Sequence, residues 1–369
     1  MYSTRGVRRG LQWAGSRKTG QVRRGIVTDA DVEQARKYCV DQLRKGDYDA
    51  YLIRQFVPRA ARDAYDALRT LNLELARLPE TVSSPAIGRF RMQFWRDTVA
   101  NVFAGNPPRE PISILLHKAV TDLRTRPAAD GGGGSSANAL RFWLLRFLNM
   151  REQHLEAHPF PTLAALEDYA EHTYATLLYM TLAAMPVRSV HVDHLASHIG
   201  KATGIAAILR GIPILAAPST AGSGAGSGGA GRAREPALLL PLDVMAETGV
   251  REEDVFRHGP RAEGLQDAVF RVATRAHDHI LTAREMLQNL RAGKGPGHDY
   301  EHAEEAGPAD DDAASAAVDV RRAFGILLDA VPTAEYLERL EAADFDAFRV
   351  KSSWKLPWRI WQALKKEQI

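Results

Sequence analysis

Apolar residues along this chain recur at intervals of three and four and almost nowhere at intervals of two. Tyr51, Ile53 and Phe56 lead into Ala64, Leu68, Leu71 and Leu75, and the same rhythm returns at Leu163, Leu166, Tyr169, Ala170, Thr173 and Leu177. Such spacing gathers apolar side chains on one stripe of a 3.6-residue helix, so the pattern predicts an all-α protein. Further helices are predicted over about 30–45, 86–104, 110–125, 139–156, 192–210, 241–248, 265–290, 317–329 and 333–348. Pro58 opens one helix and Asn106-Pro107-Pro108 separates two others, as proline does at helix boundaries.

Three stretches break the rhythm. Residues 127–138 contain a run of four glycines, 218–234 are rich in Gly, Ser and Ala, and 293–316 hold Gly, Pro, His and the acidic run Asp310 to Asp312. Compositions of this kind bury too little apolar surface to offset their ordering entropy, so they read as flexible insertions. None divides two recognisable cores and no internal repeat is present. A single helical domain is therefore expected over residues 29–350, followed by a tail at 351–369.

Composition adds bounds. A chain of 369 residues that is 45% hydrophobic and 25% charged has the balance of a globular protein. The most apolar stretch, near Leu177 to Val187, falls short of the roughly 20 apolar residues a spanning helix needs. The lone Cys39 leaves no internal disulfide and no cysteine zinc cluster. Charge is unevenly placed: residues 1–28 carry Arg5, Arg8, Arg9, Arg17, Lys18, Arg23 and Arg24 and no acid, and the formal +3 becomes −4 once these seven bases are set aside. An Arg-rich, acid-free start with Ser and Thr has the composition of a mitochondrial transit peptide; a disordered basic tail and a nucleic-acid-binding arm are the alternatives. The remaining body is mildly acidic, which disfavours nucleic acid as a partner.

The order of certain segments carries more. "DALRTLNLELARLPE" (66–80), "RFRMQFWRDTVANVFAGNPP" (89–108), "LEDYAEHTYATLLYMTLA" (166–183), "SHIGKATGIAAILR" (197–210) and "LLLPLDVMAETGVREEDVF" (239–256) together resemble the squalene/phytoene synthase family over about residues 45–350. The resemblance implies an isoprenoid-synthase-type helical bundle. Within it, "FRMQFWRDTV", "DHLASHIGKATGI" and "LPLDVMAETGV" are most similar to a branch that serves assembly of mitochondrial respiratory complex I and is not credited with prenyl transfer.

Prenyl-diphosphate chemistry needs magnesium ions to neutralise the departing diphosphate, and these want carboxylate oxygens. Two acids at i and i+4 share one helical face, so two facing helices can present a pair each. The family's first acidic motif aligns here with Ala76, Arg77, Leu78, Pro79 and Glu80, of which only Glu80 can ligate; Pro79 suggests a helix end there. The second aligns with Gly211, Ile212, Pro213, Ile214 and Leu215, none of them a ligand. Gly211 and Pro213 predict a helix stop near Arg210, with Gly200, Ala202, Gly204, Ala206 and Ala207 forming a small-residue face for close packing.

Other candidates are weaker. Asp63 with Asp66, and Glu167 with Glu171, are expected on solvated faces and in intrahelical ion pairs. His194 and His198, at i and i+4 with His191 and Asp193 nearby, have a spacing a metal could use, but the sequence offers no HExxH pattern and no nameable third ligand, which favours a hydrogen-bonded polar patch. No phosphate loop, no GxSxG elbow and no dinucleotide fingerprint is present; "GSGAGSGGAG" lacks a preceding strand. Phe94 and Trp95 between Arg91 and Arg96 read as core aromatics. In the tail, Trp354, Trp358, Trp361 and Leu364 beside Lys355, Arg359, Lys365 and Lys366 have the composition of an interfacial amphipathic helix, and equally of a terminal helix docked on the domain.

These readings combine into one expectation: a cofactor-free member of the family that has lost catalysis, sits in the mitochondrial matrix peripheral to the inner membrane, and binds a complex I subunit or assembly intermediate. Two alternatives stand beside it, a prenyl-diphosphate transferase with a displaced metal site and a module that binds an isoprenoid or lipid in the bundle's central cavity.

Overall fold

A computed structural model of the chain describes residues 27–82, 84–127, 134–187, 189–217, 235–295, 297 and 313–369. Every regular element among them is helical. In chain order these are α1 (Asp29–Gly46), α2 (Tyr48–Ile53), α3 (Arg59–Ala76), α4 (Leu78–Thr81), α5 (Pro85–Phe103), α6 (Pro111–Thr125), α7 (Gly134–Gln153), α8 (Leu163–Ala170), a π-helical turn (Glu171–Ala175), α9 (Thr176–Ala183), α10 (Val190–Leu215), α11 (Leu242–Thr248), α12 (Glu252–His258), a 3₁₀ turn (Gly259–Arg261), α13 (Leu265–Arg291), α14 (Ala313–Leu327), α15 (Ala330–Ala342) and α16 (Leu356–Lys366).

Local chemistry sets the boundaries. Thr28 caps α1 in a reciprocal box, accepting from the Asp31 amide while the Asp31 carboxylate takes the Thr28 amide, which satisfies two otherwise orphaned donors. Val27 packs against the core. Glu110 accepts from the amides of Ile112 and Ser113 ahead of Pro111, Ser84 caps α5 ahead of Pro85, and α11 ends on Gly249 at φ 76°, the left-handed closure glycine allows.

The bundle is built around α10. Its buried residues, from Val192 and Leu195 through Ile199, Ile205 and Leu209 to Ile212, lie all round its C-terminal half, the mark of a segment enclosed by others, while Asp193, His194, Ser197 and Lys201 leave a polar side on its N-terminal half. It packs on α13, α14, α15, α8, the π turn and α9. The small-residue face is used as expected: a Cβ built on Gly200 would stand 2.2 Å from Ala175 Cα, and one on Gly204 2.5 Å from Ala170 Cβ. Glycine alone permits that approach.

Several expectations require correction. The helix stop placed near Arg210 does not occur, and α10 runs on to Leu215 with Pro213 in its last turn. A proline so close to the end forfeits one intrahelical bond, which burial of Ile212 and the Ala216 amide bonding Ile212 O accommodate. Residues 134–138 belong to α7 and 313–316 to α14, so two insertions are narrower than read; 218–234 and residues 1–26 lie outside the described residues. Trp95 is buried as expected, yet Phe94 is exposed. Asp66 and Glu167 are not on solvated faces: Asp66 is fully buried against Arg54 of the preceding segment, and Glu167 binds Arg275 and His279 of α13. Glu171 accepts from Tyr179 and Ser197. Helical spacing does not distinguish an outward acid from one reaching across to a neighbouring helix.

Candidate functional site

A cavity of about 420 Å³ opens between the C-terminal end of α3, the C-terminal half of α10, the turn at 154–160 and the stretch at 235–239. Its lining includes Ala76, Gly211 and Leu215, three of the positions that the sequence resemblance aligns with the family's acidic motifs. From α10 its wall is Ala207, Ile208, Gly211, Ile214 and Leu215, and from α3 it is Leu75 and Ala76. Ala76 is the last residue of α3 and Arg77 the break, so Glu80 falls in α4 and the two do not share one continuous helical face. The Glu80 side chain lies outside the described residues. The acids in the wall, Glu156 and Glu235, belong to neither motif segment.

The cavity has one feature that the motif spacing did not signal. Arg151, from the last turn of α7, is only 8% exposed and forms part of the wall. Its guanidinium donates to Tyr169 Oη (2.6 Å) and to Asn72 Oδ1, and the rings of Phe147, Tyr169 and Tyr174 stand 5.5–5.6 Å from it. Burial pushes the Tyr169 phenol above its ordinary value, so it is a neutral hydroxyl. His154 Nδ1 donates to Met150 O and the ring rests against Phe160 and Tyr169. Hydrophobic periodicity marks α7 as a helix but does not say that its arginine faces inward.

Past a wall of Ala76, Tyr174 and Ala207 lies a smaller polar chamber of about 210 Å³. Arg69 and Asp329 form a buried ion pair across it. Arg210 donates to Asp49 Oδ2 (2.9 Å) and to Pro332 O (2.7 Å), over the Tyr336 ring. Asp47 accepts from the Ala50 amide, and burial pushes its carboxyl up against the opposing pull of Arg69. Both arginines are paired inside the bundle, so the chamber reads as a cross-brace between α2, α3, α10 and α15.

His194 and His198 are side by side on α10, ring centroids 4.9 Å apart. His198 Nδ1 meets His279 Nδ1 at 3.0 Å, and His279 Nε2 meets Glu167 Oε1 at 2.7 Å. The histidines thus join α10 to α13 and α8 in a hydrogen-bonded chain. No group of three or more His, Cys, Asp or Glu among the described residues is arranged to hold a metal ion.

The tail resolves into two faces. Leu356 and Ile360 of α16 are buried, and the helix lies on α15 and α2, held by Arg359 to Glu338 and by Arg291 to the chain end near Glu367. Trp354, Trp358 and Trp361 point away, 85%, 58% and 48% exposed, with Lys355 over Trp354 and Lys365 over Trp361. Lys366 closes the last turn. The helix is docked on the domain, and its indoles remain outside. Among the described residues no helix is long and apolar enough to cross a membrane.

Comparison with known proteins agrees with this geometry. The family model for squalene/phytoene synthase matches residues 43–362. "NADH dehydrogenase (ubiquinone) complex I, assembly factor 6" of Rattus norvegicus is 32% identical over 329 residues, which is 89% of this chain and 80% of that protein. The Homo sapiens protein of the same name is 31% identical over 311 residues, 84% and 75% of the two chains. Among solved structures, a dehydrosqualene synthase in complex with ligand superimposes with a TM-score of 0.59 at 14% identity, covering 92% of this chain and 98% of that one. A squalene synthase from Alicyclobacillus acidocaldarius does so with 0.57 at 12%, covering 86% and 97%. These structures establish the fold and nothing further.

Proposed function

Because the chain belongs to the squalene/phytoene synthase family, and is also similar to proteins named for complex I assembly, we propose that it is an assembly factor for mitochondrial respiratory complex I that acts by protein contact. The observation that carries this reading is the make-up of the cavity. Where two facing pairs of carboxylates would hold magnesium, α3 contributes Leu75 and Ala76 and α10 contributes Gly211 and Leu215. A trinuclear magnesium cluster requires several hard oxygen ligands, and these side chains offer none.

The finer parts of the reading concern place. Residues 1–28 act as the import signal and the chain works at the matrix face of the inner membrane, where the outward indoles and lysines of α16 give it an interfacial foothold. The partner is a complex I subunit or an early assembly intermediate.

The test pairs two measurements on the full chain. Affinity purification from mitochondria is expected to recover complex I subunits in stoichiometric amounts. The purified protein is expected to release no diphosphate from farnesyl diphosphate at saturating magnesium. Magnesium-dependent turnover would replace this reading with that of a prenyl transferase whose metal site is displaced.

A further inference from the structure

We propose that the 420 Å³ cavity is a metal-free binding site for an amphiphile with a single anionic headgroup and an apolar chain, with Arg151 holding the head. The inference goes beyond the assembly role and does not depend on which protein the chain binds. It starts from an unbalanced charge. Arg151 is more than nine-tenths buried, yet both bonds it makes are to neutral acceptors, Tyr169 Oη and Asn72 Oδ1. Its Nε has no acceptor among the described residues, and no described carboxylate forms an ion pair with it. A buried cation without a countercharge is costly. The three surrounding aromatic rings offset part of that cost, and an anion in the cavity would offset the rest.

The remaining wall determines the kind of anion. Arg151 is the one arginine or lysine among the described lining residues, and Glu156 and Glu235 also face the cavity. The buried guanidinium can pair with one negative charge, and the two acids, both exposed, oppose the several carried by a diphosphate, which would in addition need the metal ligands that Ala76, Gly211 and Leu215 do not supply. Beside Arg151 the Tyr169 hydroxyl accepts from Nη1 and donates to no described residue, so its proton is available to a carboxylate or phosphate oxygen. Away from the arginine the surface is apolar, with Leu75, Pro79, Phe160, Ile208 and Leu239. A volume of this size falls within the range of about 300–1,000 Å³ in which proteins bury small ligands.

The test is equilibrium binding to the purified full-length protein. The probes are oleate, its neutral counterpart oleyl alcohol, farnesyl monophosphate, and farnesyl diphosphate with and without magnesium. Saturable one-to-one binding of oleate or farnesyl monophosphate is expected, at least tenfold tighter than oleyl alcohol and unchanged by EDTA. Whichever of the two anions binds more tightly identifies the head as carboxylate or phosphate. R151Q should erase the preference over the alcohol. Ala207→Phe, which fills the cavity from α10, should abolish binding of every probe while leaving Arg151 in place. The wild-type comparison of acid with alcohol stands even if R151Q fails to fold. The proposal is overturned if no probe saturates, if acid and alcohol bind equally, or if binding occurs only as diphosphate with magnesium.

Discussion

At the scale of single residues, several charges are turned inward. Asp66 is fully buried beside Arg54, and burial, partly opposed by that arginine, pushes its carboxyl up to about 6. A carboxyl whose value is higher in the folded state than in the unfolded chain stabilises the fold in its protonated form. The contribution is complete below the unfolded value of about 3.9 and is lost as pH rises through about 6. Relative to D66N, the wild type should therefore lose about 2–3 kcal/mol of stability between pH 4 and pH 7, read from urea midpoints across that range. A pH-independent difference between the two proteins would show that the carboxyl does not titrate there. The Arg69–Asp329 pair makes a separate test: Asp329→Ala strands a buried guanidinium and should cost about 3–5 kcal/mol. A loss below about 1 kcal/mol would mean that water reaches Arg69.

At the scale of elements, α16 allows its two faces to be separated by mutation. Trp358→Ser with Trp361→Ser should weaken binding to cardiolipin-containing vesicles and leave the thermal midpoint nearly unchanged, since both indoles are outside. Ile360→Ala, on the buried face, should instead cost about 2–5 kcal/mol and spare vesicle binding at temperatures where the variant is folded. Vesicle binding that survives loss of both indoles would remove the membrane role from this helix. The same element shows where sequence reading stops. Its apolar positions are visible in the sequence, but a helix with apolar residues on both sides does not state which side meets the domain. Most other helices were legible, because Leu, Ile and Val at helical spacing combine with proline and capping residues at the ends. The turn at Glu171–Ala175 was not, since a π bulge leaves the three-and-four spacing of Tyr169, Thr173 and Leu177 intact. Short α12 was folded into the preceding motif, and α10 outran its predicted stop because tertiary burial of Ile212 outweighs one missing hydrogen bond. Of the cavity, the absence of acids at Gly211 and Leu215 could be read directly; the inward turn of Arg151 could not, because arginine is ordinarily a surface residue.

At the scale of the whole molecule, the proposed assembly role separates two substitutions that a catalytic role would join. In cells lacking the protein, Glu80→Ala should restore complex I to wild-type level, whereas Gly204→Leu should fail or restore it poorly, because a bulky side chain cannot enter the crossing with Ala170 without a cost of about 1–3 kcal/mol or more. Failure of Glu80→Ala would reinstate a carboxylate-dependent site. Removing residues 1–26 should abolish import while leaving α1 and its Thr28 cap intact, as judged by mitochondrial fractionation and circular dichroism of the purified truncation. The close crossing has a mechanical consequence as well. With Gly200 set against the Ala175 backbone and Gly204 against Ala170, α10 meets the α8–α9 segment in a single longitudinal register, like a key cut to two notches. Sliding by one residue would drive a side chain into main-chain atoms, so these helices cannot shear past one another. Access to the cavity therefore does not come from sliding of these helices, and amides along α10 should be among the slowest in the molecule to exchange with solvent deuterium.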